Sequence, residues 1–250
     1  MRGQVVLVTG GGRGLGRGLV DGFADAGATV VACGRHVPDH TRADAFEVCD
    51  VRDAEAAAGL VRSVAERFGR LDVVVNNAGG AAYAPASDLT HRAFERVVAL
   101  NLLAPFYVSQ PANTVMQSQA AGGVILNIGS AVASRPAPGM APYNAAKAGL
   151  TNLTRSLALE WAPKVRVNQV TVGLLETELA QETYGDDLEA VRTTVPMGRM
   201  AHAPDVVAAC LALCGDGMGY VTGADLWVDG GGEPPAFLTA VKHPAEGGKG

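Results

Sequence analysis

The sequence predicts an α/β fold: a single-domain, doubly wound and mostly parallel seven-stranded sheet with helices on both faces. Three observations predict it. Short β-branched runs alternate with segments of helical hydrophobic period along the whole chain. The runs are apolar at successive positions, so both faces of each strand are expected to be buried, which a one-sided antiparallel sheet does not require. A cluster of glycines stands at the first strand-to-helix turn. Composition agrees, with 48% hydrophobic and 18% charged residues in a chain of 250, a length that one α/β core can fill.

Taken in order, residues 4–9 form the first strand and residues 16–27 a helix that presents Leu19, Val20, Phe23 and Ala24 on one face. Residues 28–33 make the second strand and residues 46–48 the third. An alanine-rich helix then runs over residues 53–68, with Asp53 at its N-cap. Residues 71–75 and 124–128 are the fourth and fifth strands. The helical stretch between them, from about Arg92, meets Pro105 and Pro111, either of which is expected to bend or interrupt it. Residues 143–161 read as a long helix ended near Pro163, and residues 165–171 as the sixth strand. A helix over residues 203–214, opened by Pro204 and Asp205, precedes a last strand at 226–228.

Residues 174–200 carry weaker signals. Following a late strand, they are expected to lie over the crevice at the carboxyl ends of the strands, as a substrate lid with Leu174, Leu175, Leu179 and Tyr184 on it. The small, polar residues 244–250 are expected to fray.

Several function classes lose support. The formal net charge is −5 and no polybasic run occurs, so charge offers no footing for nucleic acid or an anionic membrane. No apolar run approaches the ~18 residues of a membrane helix, and the first residues enter a strand without the features of a signal peptide. Cys33, Cys49, Cys210 and Cys214 form no Cys-x-x-Cys pair and the five histidines are scattered, so no metal site is expected. Unpaired thiols fit a reducing cytoplasm.

The run Thr9-Gly10-Gly11-Gly12-Arg13-Gly14-Leu15-Gly16 lies where a first strand meets a helix. Glycines there let the backbone approach a pyrophosphate, whose charge sits on the helix N-terminus. The spacing Gly10-x-x-x-Gly14-x-Gly16 differs from G-x-G-x-x-G, and plain tight turns are also glycine-rich. The second strand ends Cys33-Gly34-Arg35, with no carboxylate before Asp39 to accept from a ribose 2′-hydroxyl. Arg35 offers a planar cationic fork to a 2′-phosphate, with Arg13 on the same side. These arginines favour NADP(H) over NAD(H), although both could be ordinary solvated side chains.

Tyr143 and Lys147 stand four apart and so share one helix face. A fixed cation favours a phenolate and is expected to lower the phenol's pKa from about 10. Such pairs are common on amphipathic helices, so their surroundings decide their meaning. With the glycine turn, Asn76-Asn77-Ala78-Gly79 after the fourth strand, Asn101, Ser130 after the fifth strand and Tyr143-x-x-x-Lys147, the chain resembles the short-chain dehydrogenase/reductase family over residues 4–232.

The resemblance implies a Rossmann fold and an oxidoreductase that moves a hydride between NADP(H) and a ketone or secondary alcohol. Tyr143 would be the general acid or base, Lys147 would hold the nicotinamide ribose and tune the phenol, and Ser130 would donate to the substrate oxygen. Asn101 would hold a helix distortion and a water leading to Lys147. Gly10, Arg13, Gly14, Leu15 and Gly16 would line the pyrophosphate, with Arg35 at the adenosine phosphate. Asp50 and Val51 would meet the adenine, and Asn77, Ala78 and Gly79 the adenosine ribose side. Gly173 and Thr177 would meet the carboxamide. Turn formation and helix capping explain Asn76, Asn77 and Asp50 equally well and can coexist with binding. Val172 stands where the family usually has proline, which could loosen the turn before Gly173. An NAD-dependent dehydrogenase and a non-catalytic NADP(H)-binding module are the alternatives. The family also implies a homo-oligomer, tetramer or dimer, and a small-molecule substrate that no residue pattern identifies.

Overall fold

The computed structural model describes residues 1–178, 180 and 185–232; the expectations placed on Leu179, Tyr184 and residues 244–250 lie outside them. Its elements are β1 (Val5–Thr9), α1 (Gly14–Asp25), β2 (Thr29–Gly34), β3 (Ala45–Val48), α2 (Ala54–Phe68), β4 (Val73–Asn76), α3 (His91–Val98), α4 (Ala104–Ser118), β5 (Gly123–Ser130), α5 (Ala141–Trp161), β6 (Val165–Val172), α6 (Leu188–Thr193), α7 (Ala203–Cys214) and β7 (Asp225–Val228). The seven strands form one sheet in the order β3-β2-β1-β4-β5-β6-β7. All six pairings are parallel. The chain therefore winds outward from β1 in one direction and from β4 in the other, and the β1/β4 boundary is the point where a ligand crevice opens.

Period-two alternation sends each strand's side chains to opposite faces. In β1, Val5 and Leu7 join a core with α2 and α4, while Val6 and Val8 join a second core with α1 and α7. Helix α1 meets α7 at two glycines: a methyl on Gly18 would stand 2.4 Å from Ala203 Cβ, and one on Gly22 would stand 2.2 Å from Val207 Cγ1. Only a glycine ridge lets these helices approach so closely. Asp53 caps α2 as expected, its carboxylate accepting from the N–H groups of Glu55 and Ala56. Asp205 accepts from the His202 N–H at 2.7 Å and so closes the start of α7.

The interruption expected at the prolines falls elsewhere. Helices α3 and α4 are joined through a π-turn, Ala99–Leu103, in which the Ala104 N–H reaches back to Ala99 O. Pro105 follows directly, and its missing N–H is tolerated where the ladder has already changed register. Pro111 sits inside α4 without ending it. Val108, Ala112 and Met116 are buried around it, and that packing outweighs one lost hydrogen bond.

Residues 174–200 leave β6 and return beside their own start. Ala201 N donates to Leu174 O at 2.9 Å and Glu176 N to Ala201 O at 2.8 Å. Within the excursion, Ala180, Leu188 and Met200 form a separate small core with Leu174 and Val191. Arg192 ties its two halves by donating to Glu176 at 2.7 and 3.2 Å.

Under the carboxyl end of the sheet, Gln169 is fully buried. Its Nε2 donates to Thr151 Oγ1 at 2.9 Å and Thr171 Oγ1 at 2.8 Å, and Thr171 passes the chain on to Asp225 Oδ1. Gly129 makes room for it, since a methyl there would stand 2.6 Å from Gln169 Cδ. Gly129→Ala is expected to cost ~1–3 kcal/mol by overpacking. The Gly129→Ala/Gln169→Ala double variant should lose less than the two single losses added, by about 1 kcal/mol or more, in urea unfolding. Strict additivity would refute this account of Gly129.

Candidate active site

The turn after β1 is held from below by two side chains. Thr9 Oγ1 accepts from the N–H groups of Asn77 and Ala78, both at 3.0 Å, and Asn77 Nδ2 donates to Thr9 O and Gly10 O at 2.9 and 3.2 Å. Gly10 has φ 66. A methyl on it would stand 2.9 Å from Ala78 Cα, and one on Gly16 only 2.0 Å from Gly10 O. The glycines thus permit a close stitch between β1 and the end of β4. Arg13 is the N-cap of α1 and makes no side-chain cap; no acidic residue stands in the first turn. The helix therefore presents N–H groups and positive dipole at the crevice, which fits an anionic pyrophosphate. Leu15 packs into the core behind it, and Thr177 lies against Gly14 from the far side of the crevice.

Arg13 and Arg35 are both exposed. Asp50 is engaged by its neighbour: its Oδ1 accepts from Arg52 N and Nε at 3.1 and 2.9 Å, and its Oδ2 from Nε and Nη2 at 3.2 and 2.5 Å. This pairing holds the carboxyl below its ordinary pKa. Asp50 is not a helix cap, a role that Asp53 takes. Val51 beside it is buried.

On the other side of the switch point, Ser130 ends β5, and Tyr143 and Lys147 project from α5. The Ser130 hydroxyl stands beside the Tyr143 phenol, close enough to act on its protonation. Lys147 Nζ lies 5.6 Å from the Tyr143 ring centroid and donates to Ile128 O at 2.8 Å. Asn101 sits in the π-turn, fully buried. Its Nδ2 donates to Val97 O and Gly80 O and its Oδ1 accepts from Gly80 N, all at 2.9 Å, so it compensates the distorted ladder and fixes the segment after β4. Gly79 separates Asn101 from Lys147: a methyl there would stand 2.8 Å from Asn101 Oδ1 and 3.5 Å from Lys147 Nζ. The structure thus brings together Asn101, Gly79, Ser130, Tyr143 and Lys147 from four segments.

Burial dominates the electrostatics. Lys147 is 3% exposed, and desolvation pulls its pKa from 10.5 to about 8. Burial raises the Tyr143 phenol, and Ser130 opposes that rise. The expected lowering of Tyr143 by Lys147 is therefore not what governs the phenol in this structure.

Val172 lies within the strand ladder, before the turn. It is the last ladder residue of β6, in register with Ser130 on one side and Val228 on the other, and Gly173 N donates to Val228 O at 3.1 Å. A valine keeps an N–H and a β-branched side chain, so the strand runs to its end. Gly173 in turn allows Asp229 to approach, since a methyl there would stand 2.7 Å from Asp229 Cβ.

Three features lie beyond the sequence reading. Thr9 opens the glycine run in the sequence, but its hydroxyl's bonds to Asn77 and Ala78 appear only in the fold. Asn76 and Asn127 are register partners, and Asn76 Nδ2 donates to Asn127 Oδ1 and Ser109 Oγ while Asn127 Nδ2 donates to Thr154 Oγ1, each at 2.8 Å. Without the register, nothing links them. Arg135 pairs with Asp229 at 2.9 Å across 94 residues.

Residues 10–233 match the family model described as Enoyl-(Acyl carrier protein) reductase. The D-threitol dehydrogenase of Mycolicibacterium smegmatis is 33% identical, covering 92% of this chain and 92% of that protein. The chain belongs to the short-chain dehydrogenase/reductase family. The bovine L-fucose dehydrogenase is 35% identical over 92% of this chain and 90% of its own. Among solved structures, the ligand-free aldohexose dehydrogenase of Thermoplasma acidophilum superposes with a TM-score of 0.88 at 27% identity, covering 99% of this chain and 98% of that one. This short-chain dehydrogenase/reductase is thus an oxidoreductase acting on alcohol or carbonyl groups, in a family that uses NAD(P). Among its described residues no helix is long and apolar enough to cross a membrane, and no cluster of three His, Cys, Asp or Glu residues is placed to hold a metal ion.

The buried ammonium gives this dehydrogenase/reductase a measurable pH signature. The unfolded chain keeps the Lys147 proton up to about pH 10.5 and the folded chain only to about 8. Between those values the unfolded state binds more protons, so this group's contribution to stability rises with pH. Below about pH 8 the burial penalty acts in full. The stability of Lys147→Met minus that of wild type is therefore expected to be largest below pH 8 and to shrink by about 3 kcal/mol towards pH 10.5. Denaturant unfolding of both proteins at pH 7 and pH 10 checks this; a pH-independent difference would contradict it.

Proposed function

We propose that the protein moves a hydride between NADP(H) and a ketone or secondary alcohol, with Tyr143 as general acid in reduction and general base in oxidation. The observation that carries this reading is Ser130 beside Tyr143, one helix turn from a buried lysine and across the crevice from an uncapped, glycine-lined helix N-terminus. A bound nicotinamide nucleotide supplies or accepts the hydride. The protein's own task is to orient the carbonyl, stabilise charge on its oxygen and move one proton.

Ser130 donates to the substrate oxygen, and Tyr143 delivers or removes its proton. Lys147, with a pKa of about 8, can give up and regain a proton near neutrality, and Asn101 holds the widened turn beside it. Gly10, Gly14, Leu15 and Gly16 would hold the pyrophosphate, while Asn77, Ala78 and Gly79 would hold the ribose side. Gly173 and Thr177 would hold the carboxamide. Val51 and Asp50 would line the adenine, where Arg52 competes for the Asp50 carboxylate. Exposed Arg13 and Arg35, with no carboxylate at the end of β2, support NADP(H) over NAD(H).

Residues 174–200, stitched at both ends and carrying their own small core, are read as the substrate cover within one domain. Four free, buried thiols support a reducing compartment, the cytoplasm. The alanine-rich α5, with Leu159 exposed near its end, supports a homo-oligomer, dimer or tetramer. Relatives named for D-threitol, L-fucose and aldohexose support a second reading of direction: oxidation of a polyhydroxy substrate at a secondary alcohol.

Turnover with both cofactors against panels of ketones, sugars and polyols tests the assignment. Tyr143→Phe is expected to lower kcat ~10²–10⁴-fold while NADPH binding, read by its fluorescence, is retained. Arg35→Ala should raise the KM for NADPH and leave that for NADH nearly unchanged. A wild-type preference for NADH would overturn the NADP(H) assignment, and full activity in Tyr143→Phe would overturn the role of the phenol.

A further inference from the structure

Between Ser130 and Tyr143 the chain reads Ala131-Val132-Ala133-Ser134-Arg135-Pro136-Ala137-Pro138-Gly139-Met140-Ala141-Pro142. Arg135 is the one charged residue of this loop. The prolines stiffen it but remove N–H groups that could anchor it, so its placement has to come from a few contacts. On one wall of the crevice the contacts are with residues 83 and 84: Ala84 N donates to Gly139 O at 3.0 Å, and the Tyr83 ring covers Gly139 so closely that a methyl there would stand 2.1 Å from it.

On the opposite wall the contact is Arg135. A guanidinium in an apolar loop would ordinarily extend into water. Here its Nη2 donates to Asp229 Oδ2 at 2.9 Å, with the two side chains 34% and 14% exposed, and its Cζ lies 5.5 Å from the centroid of the Trp227 ring. Gly232 admits it, since a methyl there would stand 1.8 Å from Nη1. The turn that holds Asp229 also receives other rims of the crevice. Gly173 backs onto Asp229 directly, and Met197 N donates to Gly230 O at 3.2 Å. One tight turn at residues 229–232 therefore gathers the loop after Ser130, the end of β6 and the return of residues 174–200.

We propose that the Arg135–Asp229 pair is a positioning element of the reaction centre, pinning the loop between Ser130 and Tyr143 to the 229–232 turn and so fixing the Ser130 hydroxyl against the Tyr143 phenol. This rests on the reading of Ser130 and Tyr143 as the groups that act on the substrate oxygen. A half-desolvated ion pair backed by an aromatic ring is directional, and a buried partner left alone is costly, so the pair holds one geometry. With it gone, the anchors that remain on the far half of the loop are the Ala84–Gly139 bond and the Asn144 side chain, which donates to Ala137 O at 2.9 Å, and the half that follows Ser130 can pivot about Gly139, at φ 76. A displacement of about 1 Å in a reacting group costs up to ~10²-fold in rate.

The test compares wild type with Arg135→Met, Asp229→Asn and the charge-swapped Arg135→Asp/Asp229→Arg protein. The single variants are expected to lose about 10–100-fold in kcat with cofactor affinity unchanged, and to show a larger isotope effect with 4-deuterated cofactor, as hydride transfer becomes more rate-limiting. The swapped protein should regain part of that loss. A structural role alone would shift the melting temperature without moving the isotope effect. An activity-independent arm reads the Tyr143 phenol as the ultraviolet titration difference against Tyr143→Phe. Arg135→Met should move that titration to higher pH as Ser130 shifts away from the phenol whose rise it opposes. A raised substrate KM at unchanged kcat would overturn the proposal by making Arg135 a substrate contact, and an unmoved Tyr143 titration would overturn it outright. If wild type turns over nothing in the panels, the functional reading fails while the phenol titration still decides this one.

Discussion

Keeping a lysine ammonium out of water is the constraint around which the carboxyl edge of this sheet is arranged. An isolated buried charge is too costly to keep, so Lys147 needs an acceptor, room and a polar path. The acceptor is Ile128 O, one residue inside the Gly129-Ser130 end of β5. Room comes from Gly79, which has no side chain to crowd Nζ. The polar surroundings come from Asn101, which enters only because the helix before α4 widens into a π-turn. Even so, burial brings the ammonium's pKa down to about 8.

The same edge explains why two carboxyl-end features that look unrelated depend on one another. The Asn76–Asn127–Thr154 chain passes under β4, β5 and α5, fixing the strand ends relative to the helix that carries Tyr143 and Lys147. Thr9 and Asn77 perform the matching task between β1 and β4. The two stitches meet on β4, and so they register the glycine turn and the Tyr143 helix to one strand.

The architecture was legible in the sequence because its signals are local. Continuous apolar runs require strands buried on both faces, and the glycines after β1 mark a turn of tight approach. Ser130, Tyr143 and Lys147 were legible as a spacing on one helix after one strand. What was hidden depends on register or on long-range pairing. Asn76 meets Asn127 only because β4 and β5 align those positions, and Arg135 meets Asp229 only when the loop after β5 reaches the end of β7. The helix distortion at Asn101 was implied by the family resemblance, while its extent, Ala99–Leu103, depends on the contacts of the Asn101 side chain with Val97 and Gly80. Spacing shows the cation beside the phenol but not the depth of burial, which in this structure raises the phenol.

The glycine ridge of α1 carries a consequence for how the molecule is made. Gly18 and Gly22 dock on Ala203 and Val207 of α7, so the helix that would receive the nucleotide is seated by a segment roughly 185 residues later in the chain. A contact across so long a separation cannot form until the later segment has been made. During synthesis, β1 and α1 emerge first yet wait for nearly the whole chain before their outer surface is covered. The glycine turn that opens α1 is therefore among the earliest parts to be translated, while the α7 surface that seats its helix is among the last.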